Sequence, residues 1–199
     1  MQIEKQRRSQ ADRRAETRAA LLSAARTLFI DRGYAETGTP ELVKAANVTR
    51  GALYHHFADK TDLFRAVVKA EARAVAAAIG AEADATSTPL DAFMAGALAY
   101  FAAMKVPGRA ALLLLEGPGV LGLNEMAEID SETGRQTLVD GLRHAAEHGL
   151  LDTSLDPDAL ADLLSALFDR AALMISNGAP EQSYVKATKA VLQGLLKPD

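Results

Sequence analysis

Apolar residues recur at Leu21, Ala25, Leu28 and Phe29, the i, i+4, i+7, i+8 spacing of a single buried stripe, which predicts a helix over about residues 14–32. Gly33 is placed to end it, and Tyr34 to pack back against its last turn. Leu42, Val43, Ala45 and Ala46 then mark one short helix, and Ala52, Leu53 and Phe57 a second. Between them Asn47, a residue that tolerates positive φ, makes a tight turn. Thr39 is the expected cap of the first short helix, with Pro40 at N1 and Glu41 in the first turn, and Thr49 the expected cap of the second. A longer helix starts at Asp59 and carries Leu63, Phe64, Val67 and Val68 to about residue 79.

The rest of the chain is also helical by pattern. Periodicity breaks in a polar loop over residues 82–88, and Thr88-Pro89, with Asp91 at N3, opens the next helix. Its apolar face is Phe93, Ala97, Tyr100, Phe101 and Met104, and Pro107-Gly108 stops it. A very apolar helix over 110–115 leaves no face for water and is expected to be buried and closed by Gly117-Pro118-Gly119. One helix is expected over 124–148 with Gly149 as its stop, one from Asp156-Pro157 to Asn177-Gly178, and a last one opened by Pro180. The sum is about nine helices and no strand, an all-α chain.

The two short helices and their turn have the form of a helix-turn-helix, and the second helix turns Arg50, Tyr54, His55 and in part His56 away from its apolar side. Residue types on that face suit DNA. Thr49 and the first backbone N–H groups can hold a phosphate, and Tyr54 can donate its hydroxyl to another. Arg50 can fork to guanine O6 and N7, His55 can donate to a base-edge acceptor, and Gly51 and Ala52 let the helix come close to the groove wall. Taken alone, the same face also reads as an ordinary solvated helix surface.

Charge changes that balance. The chain carries −4 overall, yet residues 1–69 hold 13 Lys and Arg against 8 Asp and Glu, while residues 70–199 hold 9 against 18. A basic head on an acidic body confines any DNA contact to one end. Residues 1–14, with Lys5, Arg7, Arg8, Arg13 and Arg14 and little to bury, read as a disordered basic arm, or as an arm that orders along DNA. The absence of cysteine excludes disulfides and thiolate chemistry. No apolar run reaches membrane-spanning length and the first residues are unlike a signal peptide, so a cytoplasmic protein without a membrane partner is expected.

Ala24-Ala25, Leu28-Phe29, Gly33-Tyr34, the run Gly51-Ala52-Leu53-Tyr54-His55-His56-Phe57, and Lys60 with Leu63-Phe64 occur in an order and register that closely resemble the DNA-binding domain of the TetR family of transcriptional repressors. The resemblance covers about a quarter of the chain, residues 18–68, and Asn47 stands where the family often has Gly. It implies a three-helix DNA-binding domain over 15–69 and a helical effector-binding and dimerisation domain over 70–199. It further implies a homodimer that binds operator DNA and releases it on binding a small molecule. DNA contacts are then expected from Thr39, Thr49, Arg50, Gly51, Ala52, Tyr54, His55 and Lys60, the last holding a phosphate at the positive end of its helix.

The body supplies candidates for the remaining roles. Phe93, Tyr100, Phe101, Met104, Phe168 and Met174 are candidate pocket residues, with Asp169 or Arg170 as polar anchors, which points to a hydrophobic or amphipathic effector. Leu160, Leu163, Leu164, Leu167, Val185, Val191, Leu192 and Leu195 form long apolar stripes on the last two helices and, by the resemblance, pair across a two-fold axis. Asp140, His144 and His148 lie roughly on one face, but a polar last turn explains them more simply than a metal ion, so neither metal nor cofactor is expected. No nucleophile or convergent acid–base pair assembles an enzyme. An all-helical protein-interaction module without sequence-specific DNA binding is the alternative reading.

Overall fold

The computed structural model describes residues 10–83 and 88–196, and among these every regular element is helical. Residues 1–9 of the arm expected over 1–14, and most of the expected loop at 82–88, lie outside the described residues. The chain divides into two compact units, Met1–Val67 and Val68–Asp199. Ten helices are described.

In the first unit, α1 (Gln10–Glu36) begins before the expected residue 14, so Arg13 and Arg14 lie on a helix. Its stripe is the predicted one, with Leu21, Ala25 and Phe29 buried. Gly33 interrupts it at φ 81°, ψ 163°, a backbone state essentially confined to glycine. Buried Thr37 donates to the Gly33 carbonyl at 2.8 Å and so fixes the chain reversal after the break. The next helix, α2 (Thr39–Ala45), starts one residue earlier than expected. Gly38 is its cap, not Thr39, because Glu41 at N3 reaches back to accept from the Gly38 N–H at 3.2 Å.

Asn47 makes the turn at φ 52°, as its side chain allows, and Thr49 caps α3 (Arg50–His56) by accepting from Ala52 N–H at 3.1 Å. Asp59 likewise accepts from Asp62 N–H at 2.7 Å and opens α4 (Lys60–Ala83). Leu42, Leu53, Phe57, Leu63, Phe64 and Val67 join the α1 stripe in the core. Edge-to-face rings seal it, Phe29 on Phe64 at 5.1 Å and Tyr34 on Phe64 at 5.0 Å.

The second unit holds the rest of α4 and six further helices. Thr88 accepts from Asp91 N–H at 3.2 Å to cap α5 (Pro89–Met104). Next, α6 (Arg109–Leu121) departs from expectation in two ways. It runs through Gly117-Pro118-Gly119 and stops at Gly122 (φ 85°), and its middle, Leu112–Glu116, is a π-turn. The wider π-turn opens the carbonyl ladder just before Pro118, which has no N–H to donate and whose ring crowds an ordinary helical turn. Nor is the leucine run wholly buried: Leu112 and Leu113 are buried, whereas Leu115 is 55 % exposed.

The single helix expected over 124–148 is two, α7 (Leu123–Thr133) and α8 (Arg135–Glu147), parted at Gly134 (φ −130°, ψ −39°). Gly149 at φ 76° is the stop that was expected. Asp156 caps α9 (Pro157–Ser176), and α10 (Glu181–Leu195) closes the described fold. Val139, Leu142 and Ala145 of α8 pack with Leu151, with Ala161 and Leu164 of α9, and with Leu192 of α10 in one core. Arg109 and Glu71, both nearly buried, pair at 2.8 Å, and a second Arg109 nitrogen donates to the Ala103 carbonyl. A buried pair of this kind is dear to break, because the survivor keeps its charge without a partner.

Candidate nucleic-acid interface and ligand cavity

On α3, the capped first turn leaves backbone N–H groups and small side chains at one end. A Cβ on Gly51 would meet nothing but the Thr49 hydroxyl at 3.9 Å, so this surface is open. Arg50 lies with its guanidinium 5.6 Å from the Tyr54 ring centroid, a cation–π pairing that orients both side chains. The side chains of Arg50 and then Thr39 beside the Tyr54 hydroxyl hold its pKa below the ordinary phenol value. Thr39, Arg50 and Tyr54, from two helices, therefore form one polar cluster, and Tyr54 and His55 are exposed beside it. Ala52 is half-buried at the same end.

His56 turns partly inward. Desolvation first, then the charges of His55, Arg14 and Arg18, lower its pKa, so it is neutral at pH 7. That neighbourhood shows Arg14 and Arg18 of α1 adding positive potential to the α3 side of the unit, and Arg18 stacks 4.9 Å over the Phe57 ring. Reading each helix separately hid this, since the pairing depends on how α1 crosses α3. Lys60 has an additional occupation. Its ammonium donates to the carbonyls of Tyr34 at 2.9 Å and Thr37 at 3.1 Å, which uses two of its three N–H groups.

In the second unit, a cavity of about 750 Å³ lies among α4, α5, α6, α7, α8 and α9, a volume suited to a drug-sized molecule. Of the predicted pocket residues, Phe93, Tyr100, Met104, Phe168, Asp169 and Arg170 line it. Phe101 and Met174 do not: Phe101 is fully buried, edge-on to Phe168 with ring centroids 6.4 Å apart. Sequence reasoning placed a ligand among the helices from Pro89 to Asn177 but named no lining residue of α6, α7 or α8, among them Leu113, Met126, Asp130 and His144, and did not include α4 with Val75.

Polar groups in the wall are few. The Tyr100 hydroxyl donates to Asp169, and desolvation first, then Asp169, push the Tyr100 pKa above its usual range. Desolvation by surrounding protein, then the Asp169 charge, raises the Asp130 carboxyl to about 6, although its surface is accessible within the wall. Burial likewise raises Asp169. His144 stacks on His148 with ring centroids 4.1 Å apart, and Asp140 accepts from Gln136. No group of three or more His, Asp or Glu suited to a metal ion occurs among the described residues.

Of the proposed dimer residues, Leu164 and Leu192 are sunk in the unit's own core and cannot serve a partner in this conformation. Leu163 is 70 % exposed and Val191 45 %, while Leu160, Leu167, Val185 and Leu195 are half-buried.

A three-helix head bearing a capped, cation-lined second helix and a separate helical body around an apolar cavity is the build of a transcriptional regulator. Residues 21–67 match the family described as bacterial regulatory proteins, tetR family, and residues 90–198 match the tetracyclin repressor-like C-terminal domain. A crystal structure of a TetR-family transcriptional regulator from Pectobacterium atrosepticum is 30 % identical, covering 96 % of this chain and all of that one with a TM-score of 0.69. One from Streptomyces coelicolor, 22 % identical, shares the fold over 91 % of this chain and 96 % of its own (TM-score 0.73). The HTH-type transcriptional repressor BepR of Brucella suis is 45 % identical over 62 residues, 31 % of this chain. The chain spans 29 % of that relative's length.

The chain belongs to the TetR family. It is a helix-turn-helix transcriptional regulator, and regulators of this family, usually repressors, are DNA-binding proteins rather than enzymes. Among the described residues no single helix is long and apolar enough to cross a membrane.

Proposed function

We propose that the chain is a ligand-responsive repressor that works in the cytoplasm as a homodimer on a pseudo-palindromic operator. The observation that carries this is the Thr39–Arg50–Tyr54 cluster on α2 and α3, with Arg50 and Tyr54 exposed, in a head whose charge is opposite to that of the body. Thr49 and the free N–H groups of the first turn take a phosphate, Arg50 and His55 read base edges, and Gly51 and Ala52 allow close approach. Tyr54, Thr39 and the third N–H of Lys60 fix the register on the backbone. Two such helices in a C2 dimer sit about 34–36 Å apart, in successive major grooves. Leu163 and Val191, exposed on α9 and α10, supply the surface that pairs with the second copy.

A small molecule in the cavity releases the operator by preferring a body conformation whose two heads no longer fit it. A coupling of about 1–3 kcal/mol is enough to matter. Walls built from aromatic, Leu and Met side chains suit a hydrophobic or amphipathic effector.

The test is selection of random duplex DNA on the purified protein, then titration of the enriched sequence at two salt concentrations. A palindromic site with affinity falling steeply as salt rises is expected, since phosphate contacts release counterions. Binding with no enriched sequence refutes the proposal and favours the interaction-module reading.

A further inference from the structure

The lining of the body cavity is balanced in charge. It holds two carboxylates, Asp130 and Asp169, and two guanidiniums, Arg135 and Arg170, so a charged guest of either sign meets like charge as well as opposite charge. Arg135 is already engaged, donating to Asp162 at 2.7 Å and to Asp158 at 3.2 Å. Asp130 and Arg170 are exposed, whereas Tyr100 of α5 and Asp169 of α9 are half-buried and held as a pair, the Tyr100 hydroxyl donating to Asp169 Oδ1 at 2.5 Å. That bond uses the Tyr100 proton. What the pair still presents is acceptor capacity alone, on the second oxygen of Asp169 and on the Tyr100 oxygen. Among the described residues no donor is bonded to Asp169 Oδ2, and no buried polar side-chain atom lacks a partner, so this oxygen is accessible. Ser165, one turn earlier on the same face of α9, also lines the cavity and carries a hydroxyl that can donate.

We infer that the effector is a neutral lipophilic alcohol or phenol, whose hydroxyl donates to Asp169 and accepts from Ser165 while its apolar body lies against Phe93 and Phe168. This rests on the cavity being the effector site. Residues four apart on a helix have Cβ atoms about 5–6 Å from one another, close enough for one hydroxyl to bridge Ser165 and Asp169. A hydroxyl gives a proton and takes one, as this pair of partners requires. An ether or a ketone has no proton to give and sets its lone pairs against those of Asp169. A carboxylate ligand places like charge beside Asp169. An ammonium has to shed its hydration against a carboxylate that Tyr100 already engages, a trade that buried ion pairs often lose. The half-buried setting that makes a new donor valuable to Asp169 also raises its pKa.

Four probes sharing one body separate the possibilities: pyrenebutanol, its methyl ether, pyrenebutylamine and pyrenebutyrate, titrated by fluorescence against the intact chain at about pH 8. The alcohol is expected to bind about tenfold tighter than the ether, the scale of one hydrogen bond to a charged acceptor, and tighter than the amine or the acid. In Asp169→Ala the alcohol-to-ether ratio should fall to near unity. If that variant does not fold, the ratio in the parent protein decides alone. Equal binding of alcohol and ether, tighter binding of the amine or the acid, or a ratio that survives Asp169→Ala overturns the hydroxyl assignment and leaves the cavity reading standing. No binding by any of the four overturns the cavity reading and the assignment with it.

Discussion

The Lys60 ammonium sits 2.9 Å from the Tyr34 carbonyl oxygen and 4.1 Å over the Tyr34 ring. Its second carbonyl, from Thr37, lies at 3.1 Å, so one side chain at the start of α4 ties down the whole link from α1 to α2. The Tyr34 hydroxyl closes the arrangement from the other side, 2.8 Å from the Thr61 hydroxyl. Lys60→Met keeps the stem and removes the charge. It should destabilise the intact protein by about 2 kcal/mol in urea unfolding, the scale of hydrogen bonds to a charged donor. The slope of operator affinity against salt should also fall by about one. A lost slope with full stability would leave Lys60 a surface cation only.

Arg50→Ala removes the fork and its stacking partner on Tyr54 together. Operator affinity should fall by about 1–3 kcal/mol, with base preference relaxed at one position in each half-site. Repeating the random-duplex selection with the variant checks this. An unchanged preferred sequence would show that Arg50 touches phosphate rather than base.

Gly33 holds φ 81°, ψ 163°, where any Cβ is strained. Gly33→Ala should cost about 1–3 kcal/mol of stability. The loss belongs to the head, so protection of α1 and α2 amides from hydrogen exchange should drop while that of α9 stays.

Asp130 gives a pH signature. Its folded carboxyl titrates near 6, above the unfolded value of 3.8, because desolvation and Asp169 disfavour its charge, only partly offset by Arg135. The folded state therefore binds the extra proton between these values. The charged group costs stability above pH 6, the cost fades as pH falls through 6, and it is gone below about 4. Asp130→Asn should be more stable than the parent at pH 7.5 by about 1 kcal/mol, since accessible surface in the wall screens part of the penalty, with the difference closing by pH 4.5. A constant difference across that range would refute the shift.

Leu163 and Leu164 are neighbours with opposite surroundings, one 70 % exposed and the other in the core. Leu163→Glu should produce a folded monomer in sedimentation, with helical content intact. Leu164→Glu should instead lower the melting point of the chain by burying a charge.

Much of the head was legible because each of its local signals agrees with the fold. The stripe Leu21, Ala25, Phe29, the turn at Asn47, and the caps Thr49 and Asp59 are set by residues within four positions of one another. Thr39 was assigned one place too far along because a hydroxyl before Pro40 looks like a cap, while the deciding bond, from Gly38 N–H to Glu41, involves a glycine with no side chain to signal it. In the body the failures share a cause. Gly134 lies inside what was expected to be one helix over 124–148 and proved a break, and Gly117-Pro118-Gly119 was read as a break and proved helical, with a π-turn upstream. Stripes on α9 and α10 could be seen, but not which leucines serve the unit's own core, since that depends on where α8 lies. The cavity was half-legible for the same reason. Its α5 and α9 walls follow helical spacing, whereas α4, α6 and α7 join only through the tertiary arrangement.

Pro118 removes one amide from the ladder of α6, and the π-turn before it replaces four-residue bonds with longer, less regular ones. Leu113, Leu114 and Pro118 of this stretch face the cavity. One wall is therefore compliant while α9, opposite in character, has an unbroken ladder over twenty residues, Pro157 to Ser176. A container with one soft side has no single capacity. In the effector role proposed for the cavity, it would take up guests of differing girth at little elastic cost.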